Sequence, residues 1–329
     1  VIPTYNGRHR LEICLASLER CRPDDLDLEI VVADDASTNG SAEWLAEAYP
    51  HVRVVRLTQN GGFVAAANAG IAAASGSVIQ VLNNDTEVTP GWAEAGLAPF
   101  ADSTVGSVAP LVLVRSDPSR VDSAGDRFAV FGWPSKRGHG QDAETWKAHR
   151  PGPVFGASGS SAFYRAKALE TVGAYDPAFG SYYEDVDLAF RLRWAGYSCV
   201  FEPSCRILHE VSASYDHTRP DLQRRMSRNA ELLFWTDLPA AWLIAALVPH
   251  LGFTCLQGLW RFARGRARPF LAGKLDAVRM LPGFLVRRRE RTRLRRSAIA
   301  PPHFPLTVGS LADVRNHLTR PKEASSRAS

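Results

Sequence analysis

The chain has 329 residues, 45% hydrophobic and 22% charged. That composition fits a globular protein of one large domain plus extra segments, or of two domains. Its formal net charge of +5 hides an asymmetry: residues 1–215 hold 18 Lys/Arg against 26 Asp/Glu, a net of −8, and residues 216–329 hold 21 against 8, a net of +13. The acidic front argues against nucleic acid docking there, and the basic rear suggests an anionic surface. The five cysteines, Cys14, Cys21, Cys199, Cys205 and Cys255, are odd in number and contain no CxxC pair. They indicate neither a disulfide framework nor a zinc site, and a reducing cytoplasm is the simplest compartment. The chain opens on Val1-Ile2-Pro3, so the first strand reads as truncated and any targeting segment upstream is out of view.

From the N-terminus, strands and helices alternate. Val1-Ile2-Pro3 ends a strand, and residues 9–20 place Leu11, Leu15 and Leu18 on one helical face. Leu28 to Val32 is a short β-branched strand, and Ser41 to Tyr49 reads as a helix with Ser41 as N-cap. Val52 to Leu57 is a third strand, Ala65 to Ala74 an Ala-rich helix stopped by Gly76, and Val78 to Leu82 a fourth strand. Alternation at this spacing predicts an α/β fold with a parallel sheet covered on both faces. Ligands of such sheets sit beyond the C-terminal strand ends. Four polar or glycine-bearing loops lie there: Thr4-Tyr5-Asn6-Gly7, Ala33-Asp34-Asp35-Ala36-Ser37, Thr58-Gln59-Asn60-Gly61-Gly62 and Asn83-Asn84-Asp85-Thr86. Each alone is ordinary turn chemistry; four on one edge point to a ligand. No G-x-G-x-x-G follows the first strand and no GxxxxGK[ST] occurs, which counts against a dinucleotide-dependent oxidoreductase and a P-loop NTPase. Residues 158–161 carry no GxSxG elbow, so no serine hydrolase is read.

Three acids, Glu184, Asp185 and Asp187, crowd the start of an apolar-periodic run. The plain explanation is a helix mouth, where acids favour the positive end of the dipole. Asp187 suits it, with Arg191 four residues on. Asn83-Asn84-Asp85 taken alone is a strand-ending turn, and His209 taken alone is a structural histidine. A sugar-nucleotide transferase would give them other work: it must hold a base and ribose, neutralise a leaving diphosphate and deprotonate an acceptor hydroxyl. The second task suits Mg²⁺ or Mn²⁺ on few protein ligands.

The stretches VIPTYNG (1–7), EIVVADDASTNGS (29–41), NGGFVAAANAGI (60–71), VLNNDTEV (81–88), GAYDPAFGSYYEDVDLAFRLRWAGY (173–197) and HEVSAS (209–214) stand in one order. In that order the chain resembles inverting family 2 glycosyltransferases, and within them bacterial rhamnosyl- and galactofuranosyl-transferases of cell-surface polysaccharide assembly. The resemblance covers about residues 1–215. It implies a GT-A fold, a Rossmann-like and mostly parallel sheet with helices on both faces; composition adds a helical, basic and apolar region at 216–296 and, from its Pro, Ser and scattered charge, a loosely ordered tail at 297–329. It implies that Pro3, Thr4 and Tyr5 line the nucleoside pocket, that Asp34 accepts a hydrogen bond from the base, and that Asn60, Asn68, Asn84 and Asp85 contact the donor. Asp85 and His209 would hold Mn²⁺ or Mg²⁺, Asp185 would be the general base, and Glu184 and Trp194 would meet the acceptor, although core packing suits Trp194 better. Trp133 and Trp146 are further candidates for stacking on sugar. The strict DXD pattern is broken by Asn83, and Asp35 and Asn39 exchange the family's usual Asn and Asp.

Leu238 to Trp260 carries no formal charge apart from titratable His250. It is long enough to span a bilayer once, but Pro249, His250, Thr254 and Gln257 interrupt it. Arginines at 261, 264, 266 and 268, then at 287–289 and beyond, read with the interfacial aromatics as a peripheral membrane anchor. The expected partners are a UDP- or dTDP-sugar, a glycan or lipid-linked acceptor and an anionic membrane surface on the cytoplasmic side, with no nucleic acid. Two other readings of the sheet are a sugar-1-phosphate nucleotidyltransferase and a non-catalytic sugar-nucleotide-binding membrane module. The first needs a Gly- and Lys-rich triphosphate loop, for which Asn6-Gly7-Arg8-His9-Arg10 is a poor substitute.

Overall fold

The computed structural model describes residues 1–211 and 219–307. Strands β1 (Ile2–Thr4), β2 (Val31–Asp34) and β3 (Arg53–Arg56) form a parallel sheet in that order, with Thr4 level with Asp34 and Asp34 level with Arg56. Helices α1 (Arg8–Arg20), α2 (Ser41–Ala48) and α3 (Phe63–Ala73) connect them and lead on to β4 (Val78–Leu82). Leu11, Leu15 and Leu18 are buried on α1, as their spacing requires. Local edges differ from the sequence pattern. The second strand runs to Asp34, and Gly40, at φ 76°, caps α2 while Ser41 bonds back to Asn39. A left-handed cap suits glycine, so Ser41 falls inside the helix.

Val1 joins this sheet to the next. Its amino group donates to the Gln80 carbonyl (2.8 Å), and its carbonyl accepts from the Leu82 N–H (2.9 Å). The chain continues as β5 (Thr86–Val88), α4 (Trp92–Leu97), β6 (Val105–Val114), β7 (Asp117–Ser123), β8 (Asp126–Ala129) and β9 (Trp133–Lys136). It then forms α5 (Ala143–Lys147), β10 (Gly152–Val154), β11 (Ser161–Arg165), α6 (Ala166–Val172), α7 (Glu184–Trp194) and β12 (Ser198–His209). The second sheet runs β10-β12-β6-β11-β4, with β5 on β12 and β7 on β6. β11 is antiparallel to both β4 and β6, while β12 is parallel to β6, so the sheet is mixed beyond β4. The strand–helix alternation of the front third does not announce that reversal. One core packs Val81, Leu111, Tyr164 and Leu188 together, another Leu11, Leu45, Phe163 and Ile207, so helices cover both faces.

Four helices follow: α8 (Pro220–Asp237), α9 (Ala240–Ala263), α10 (Ala267–Arg279) and α11 (Leu281–Arg296). A third core, with Phe128, Phe190, Leu232, Phe234, Ala246 and Phe284, binds α8, α9 and α11 to α7 and β8. At Gly273 a Cβ would lie 2.2 Å from the Arg224 carbonyl oxygen, so α8 and α10 cross at a point where only glycine fits. A buried ion network ties α7 to the rear helices. Asp187 receives Arg191 (2.7 Å) on one oxygen and Arg291 (2.7 Å) on the other, and Arg291 also reaches Asp237 (2.6 Å). The i,i+4 pairing expected for Asp187 is present, with a second arginine added.

Residues 297–307, expected in a loose tail, are docked. Thr307 N–H bonds the Phe128 carbonyl (3.0 Å), Arg193 donates to the His303 carbonyl (2.9 Å), and Phe304 packs on Trp194. A segment broken by three prolines has no periodicity, so its composition hides this addition to β8. The remainder of the expected tail, 308–329, lies outside the described residues, as do residues 212–214 of the HEVSAS stretch.

Candidate active site

The C-terminal ends of β1, β2 and β4 meet at one edge. Two of the loops hold non-glycine residues in the left-handed region, Asn6 at φ 51° and Ala36 at φ 59°, a conformation L-residues keep only when the surroundings impose it. Asn6 is held by Ser37 and Thr38 across the two loops (2.8 and 2.9 Å). Tyr5 stands out beside it, 49% exposed, while Pro3 and Thr4 are buried. Asn84 donates to Thr4 Oγ1 (2.8 Å), and a Cβ on Gly7 would lie 2.3 Å from the Asn84 amide nitrogen. Gly7 is therefore what lets the first and fourth loops close on each other.

Asp85 follows, and β12 brings His209 to it. Nε2 of His209 lies 3.3 Å from Asp85 Oδ1, and Nδ1 lies 2.9 Å from Asp122 Oδ2 at the end of β7. Burial alone would lower the imidazole's pKa, but its hydrogen bonds to Asp122 and Asp85 outweigh that and hold it at about 9. Asp122 is fully buried and also receives Lys136 on both oxygens (2.9 and 2.8 Å). Against its own desolvation, Lys136, His139 and His209 hold its carboxyl well below the usual range. A carboxylate on the far nitrogen is the arrangement that orients metal-binding histidines. Asp85 and His209 fit a divalent cation as a two-residue set once the cation displaces the proton that His209 directs at Asp85. Among the described residues, no group of three or more His, Cys, Asp and Glu side chains forms a fuller cage. Beside this pair lies a cleft of about 580 Å³ lined by Asn6, Gly7, Arg10, Arg115 and Glu210.

One loop carries both this turn and Asp185. The Ser160 carbonyl accepts the Asn83 N–H (3.1 Å), and the neighbouring Gly159 N–H donates to Asp185 Oδ2 (2.7 Å). The other oxygen of Asp185 takes the Val186 N–H (2.8 Å). Burial raises the carboxyl's pKa, and those two bonds moderate the rise. Asp185 is the second residue of α7, which starts after two consecutive left-handed residues, Tyr182 (φ 68°) and Tyr183 (φ 70°). Asn229 of α8 imposes that turn, donating to the carbonyls of Phe179, Ser181 and Tyr182 at 3.0, 3.1 and 2.7 Å.

Other residues fall elsewhere. Asn68 binds the Tyr175 carbonyl (2.7 Å) and N–H (2.9 Å), so it clamps the loop before α7 instead of facing a donor. Trp194 is buried, its indole N–H on the Asp237 carbonyl (2.9 Å), so its ring belongs to the packing between α7 and α8 and not to an open surface. Trp146 is core as well. Asp34 is fully buried; its oxygens accept the Ser37 N–H (3.2 and 3.3 Å) and face Arg56 (3.5 Å), which leaves it bracing its loop and gives no support to a base contact. Asn60 is exposed and only reaches toward the Asp35 carbonyl (3.5 Å). Glu184 is enclosed: desolvation and then the Asp185 charge push it up to about 8. Asp126 is buried as well, with Oδ2 lacking a hydrogen-bond partner among the described residues, and burial followed by the Asp185 charge raises it. Asp122, Asp126, Lys136 and Asn229 carry no sequence signal that would have singled them out.

With this geometry in view, the family model for "Glycosyl transferase family 2" matches residues 1–173. The chain belongs to that family. This glycosyltransferase is 30% identical, over 75% of its length and 86% of the relative's, to the N-acetylglucosaminyl-diphospho-decaprenol L-rhamnosyltransferase of Mycobacterium tuberculosis. It is 28% identical to the pre-mycofactocin glycosyltransferase of the same species, over 64% of the chain and 42% of that protein. Among solved structures, GalNAc-T7 with UDP, GalNAc and Mn²⁺ superposes with a TM-score of 0.57 at 19% identity, covering 70% of this chain and 47% of that one. The mannosyltransferase PcManGT of Pyrobaculum calidifontis, with GDP-Man and Mn²⁺, gives 0.54 at 18% identity, covering 84% and 85%. These likenesses show the fold, which is GT-A.

Proposed function

We propose that this glycosyltransferase moves a sugar from a UDP- or dTDP-sugar to a hydroxyl of a glycan or lipid-linked glycan, with inversion at the anomeric carbon. The observation that carries the reading is the single loop, Gly159-Ser160, that bonds both Asp185 and the Asn83-Asn84-Asp85 turn. A base and a leaving-group site held by one element is what a one-step displacement needs.

Asp185 takes the proton of the acceptor hydroxyl as that oxygen bonds the anomeric carbon; the bond to the diphosphate breaks, and its electron pair leaves with the phosphate oxygen. Two backbone N–H bonds aim the carboxylate, and its burial makes it a better base than a surface aspartate. Asp85 and His209 would hold Mn²⁺ or Mg²⁺, which when bound supplies the charge that a leaving diphosphate requires. Asp122 keeps the His209 ring aimed at Asp85. Tyr5, exposed at the mouth, offers a face for the base, with Thr4 and Asn84 beneath. Residues 1–215 are read as the catalytic domain and 216–296 as its membrane-associating region. The relative's decaprenol-linked name supports an acceptor carried on lipid; the cytoplasmic membrane face and cell-surface polysaccharide assembly are part of the same proposal.

The test is Asp185→Asn with a lipid-linked acceptor and Mn²⁺. Turnover should fall by about 10²–10⁴ while nucleotide-sugar affinity holds, and the wild-type product should carry the inverted anomeric configuration by NMR. Near wild-type turnover in the variant would remove Asp185 from the reaction.

A further inference from the structure

Exposed apolar surface is concentrated on one part of this molecule. Of the large hydrophobic side chains exposed among the described residues, all but Tyr5 and Ile299 lie on α9, α10 and α11. A soluble monomer scatters such residues singly.

α9 shows the pattern most sharply. At about 100° per residue, Ile244, Val248, Leu251, Cys255, Leu259 and Phe262 fall in one stripe. Ile244 and Val248 are each 78% exposed, Leu259 69% and Phe262 77%. The opposite side faces protein and is where the polar group sits. His250, 3% exposed, stacks on Phe234 at 3.6 Å; its Nδ1 lies 2.9 Å from the Phe131 carbonyl and its Nε2 3.1 Å from Glu231. Lys274 of α10 holds the other oxygen of Glu231. On α10, Leu271, Leu275 and Val278 continue the outward apolar pattern at helical spacing. Exposed arginines flank it: Arg264 and Arg268 after α9, Arg279 at the end of α10 and Arg289 on α11.

Length and mean hydropathy, 1.4 over its best window, would let α9 cross a bilayer. The tether forbids it. His250 is near the helix midpoint, so a spanning α9 would carry Glu231 and Lys274 to the bilayer centre, where each charge is costly. A helix lying in the interface keeps the tether in protein, the stripe in the acyl boundary and the arginines at headgroup level.

We propose that the outward faces of α9, α10 and α11 dock onto an anionic phospholipid bilayer, with α9 in the membrane plane and not across it. The proposal deepens the reading of a membrane-held acceptor, and its test does not depend on that reading. The full chain is floated with vesicles of phosphatidylcholine alone or mixed with phosphatidylglycerol. It should float with the mixed vesicles, be weakened by salt and be released by alkaline carbonate. Val248→Glu with Leu259→Glu should lower the partition coefficient at least tenfold, with nucleotide-sugar affinity unchanged as the check on folding. Arg264→Gln with Arg268→Gln, which leaves the apolar stripe intact, should lower it about fivefold per charge. Carbonate-resistant retention would overturn the proposal in favour of a spanning helix. A vesicle-independent dimer that protects the stripe, or no flotation of the wild type, would overturn it too. Loss of sugar transfer with flotation intact would instead count against the catalytic reading alone.

Discussion

Four carboxyl groups crowd the site, and their surroundings push them apart. Asp122, paired with Lys136 and His209, stays ionised, whereas Asp126, Glu184 and Asp185 are raised, burial being the largest cause in each. Separation of this kind lets one carboxylate anchor a histidine while another accepts a proton. Asp122→Asn should weaken Mn²⁺ affinity about 10–100-fold, measured by titration with nucleoside diphosphate present; an unchanged affinity would detach Asp122 from the metal site. Glu184 gives a stability signature. Its pKa rises from 4.5 unfolded to about 8 folded, so the native state binds the proton more tightly. The stabilisation is complete below about pH 4.5 and is lost as pH climbs through about 8. Relative to Glu184→Gln, the wild type should therefore lose melting temperature steadily between those values and level off above them. A difference that does not vary with pH would mean Glu184 holds no shifted proton.

At the scale of elements, α7 is placed from behind. Asn229 of α8 fixes the strained Tyr182-Tyr183 turn, and Arg291 of α11 reaches Asp187 in the first turn of α7. Arg291 also meets Asp237, whose carboxyl is pushed up to about 7, by burial first and by Asp187 next, despite that guanidinium. Arg291→Ala leaves Asp237 buried without its arginine. The expected cost is about 3–5 kcal/mol, read by urea denaturation, and Asp237→Asn in the same chain should recover part of it. If the single variant costs under about 1 kcal/mol, the scale of an exposed ion pair, the network does not tie α11 to α7.

Across the whole molecule, what was legible in sequence was local. The strands and helices up to β4 follow from apolar spacing, and the four polar loops fall on one edge because parallel strands end there together. Distant partners were not legible. Asn68 looks like a loop-edge donor contact until Tyr175, more than a hundred residues on, takes both ends of its amide. Asp34 resembles a free acceptor until Ser37 and Arg56 occupy it. Trp194 sits on α7 but turns to Asp237. Asp122 lies in a stretch with no recognisable spacing, and only the fold brings it to His209. The antiparallel β11 and the docked residues 297–307 were hidden for the same reason: pairing between remote segments leaves no periodicity behind.

Cys255 lies in the outward stripe of α9 and is exposed, whereas Cys14, Cys199 and Cys205 are buried and Cys21 is half-covered. Burial pushes the thiols of Cys14, Cys199 and Cys205 up, away from the reactive thiolate. The unaltered chain therefore carries a built-in attachment point. A maleimide nitroxide or fluorophore would mark Cys255 in preference to the others, and its quenching by lipid-borne probes at graded depths would measure how far this face of the enzyme sinks.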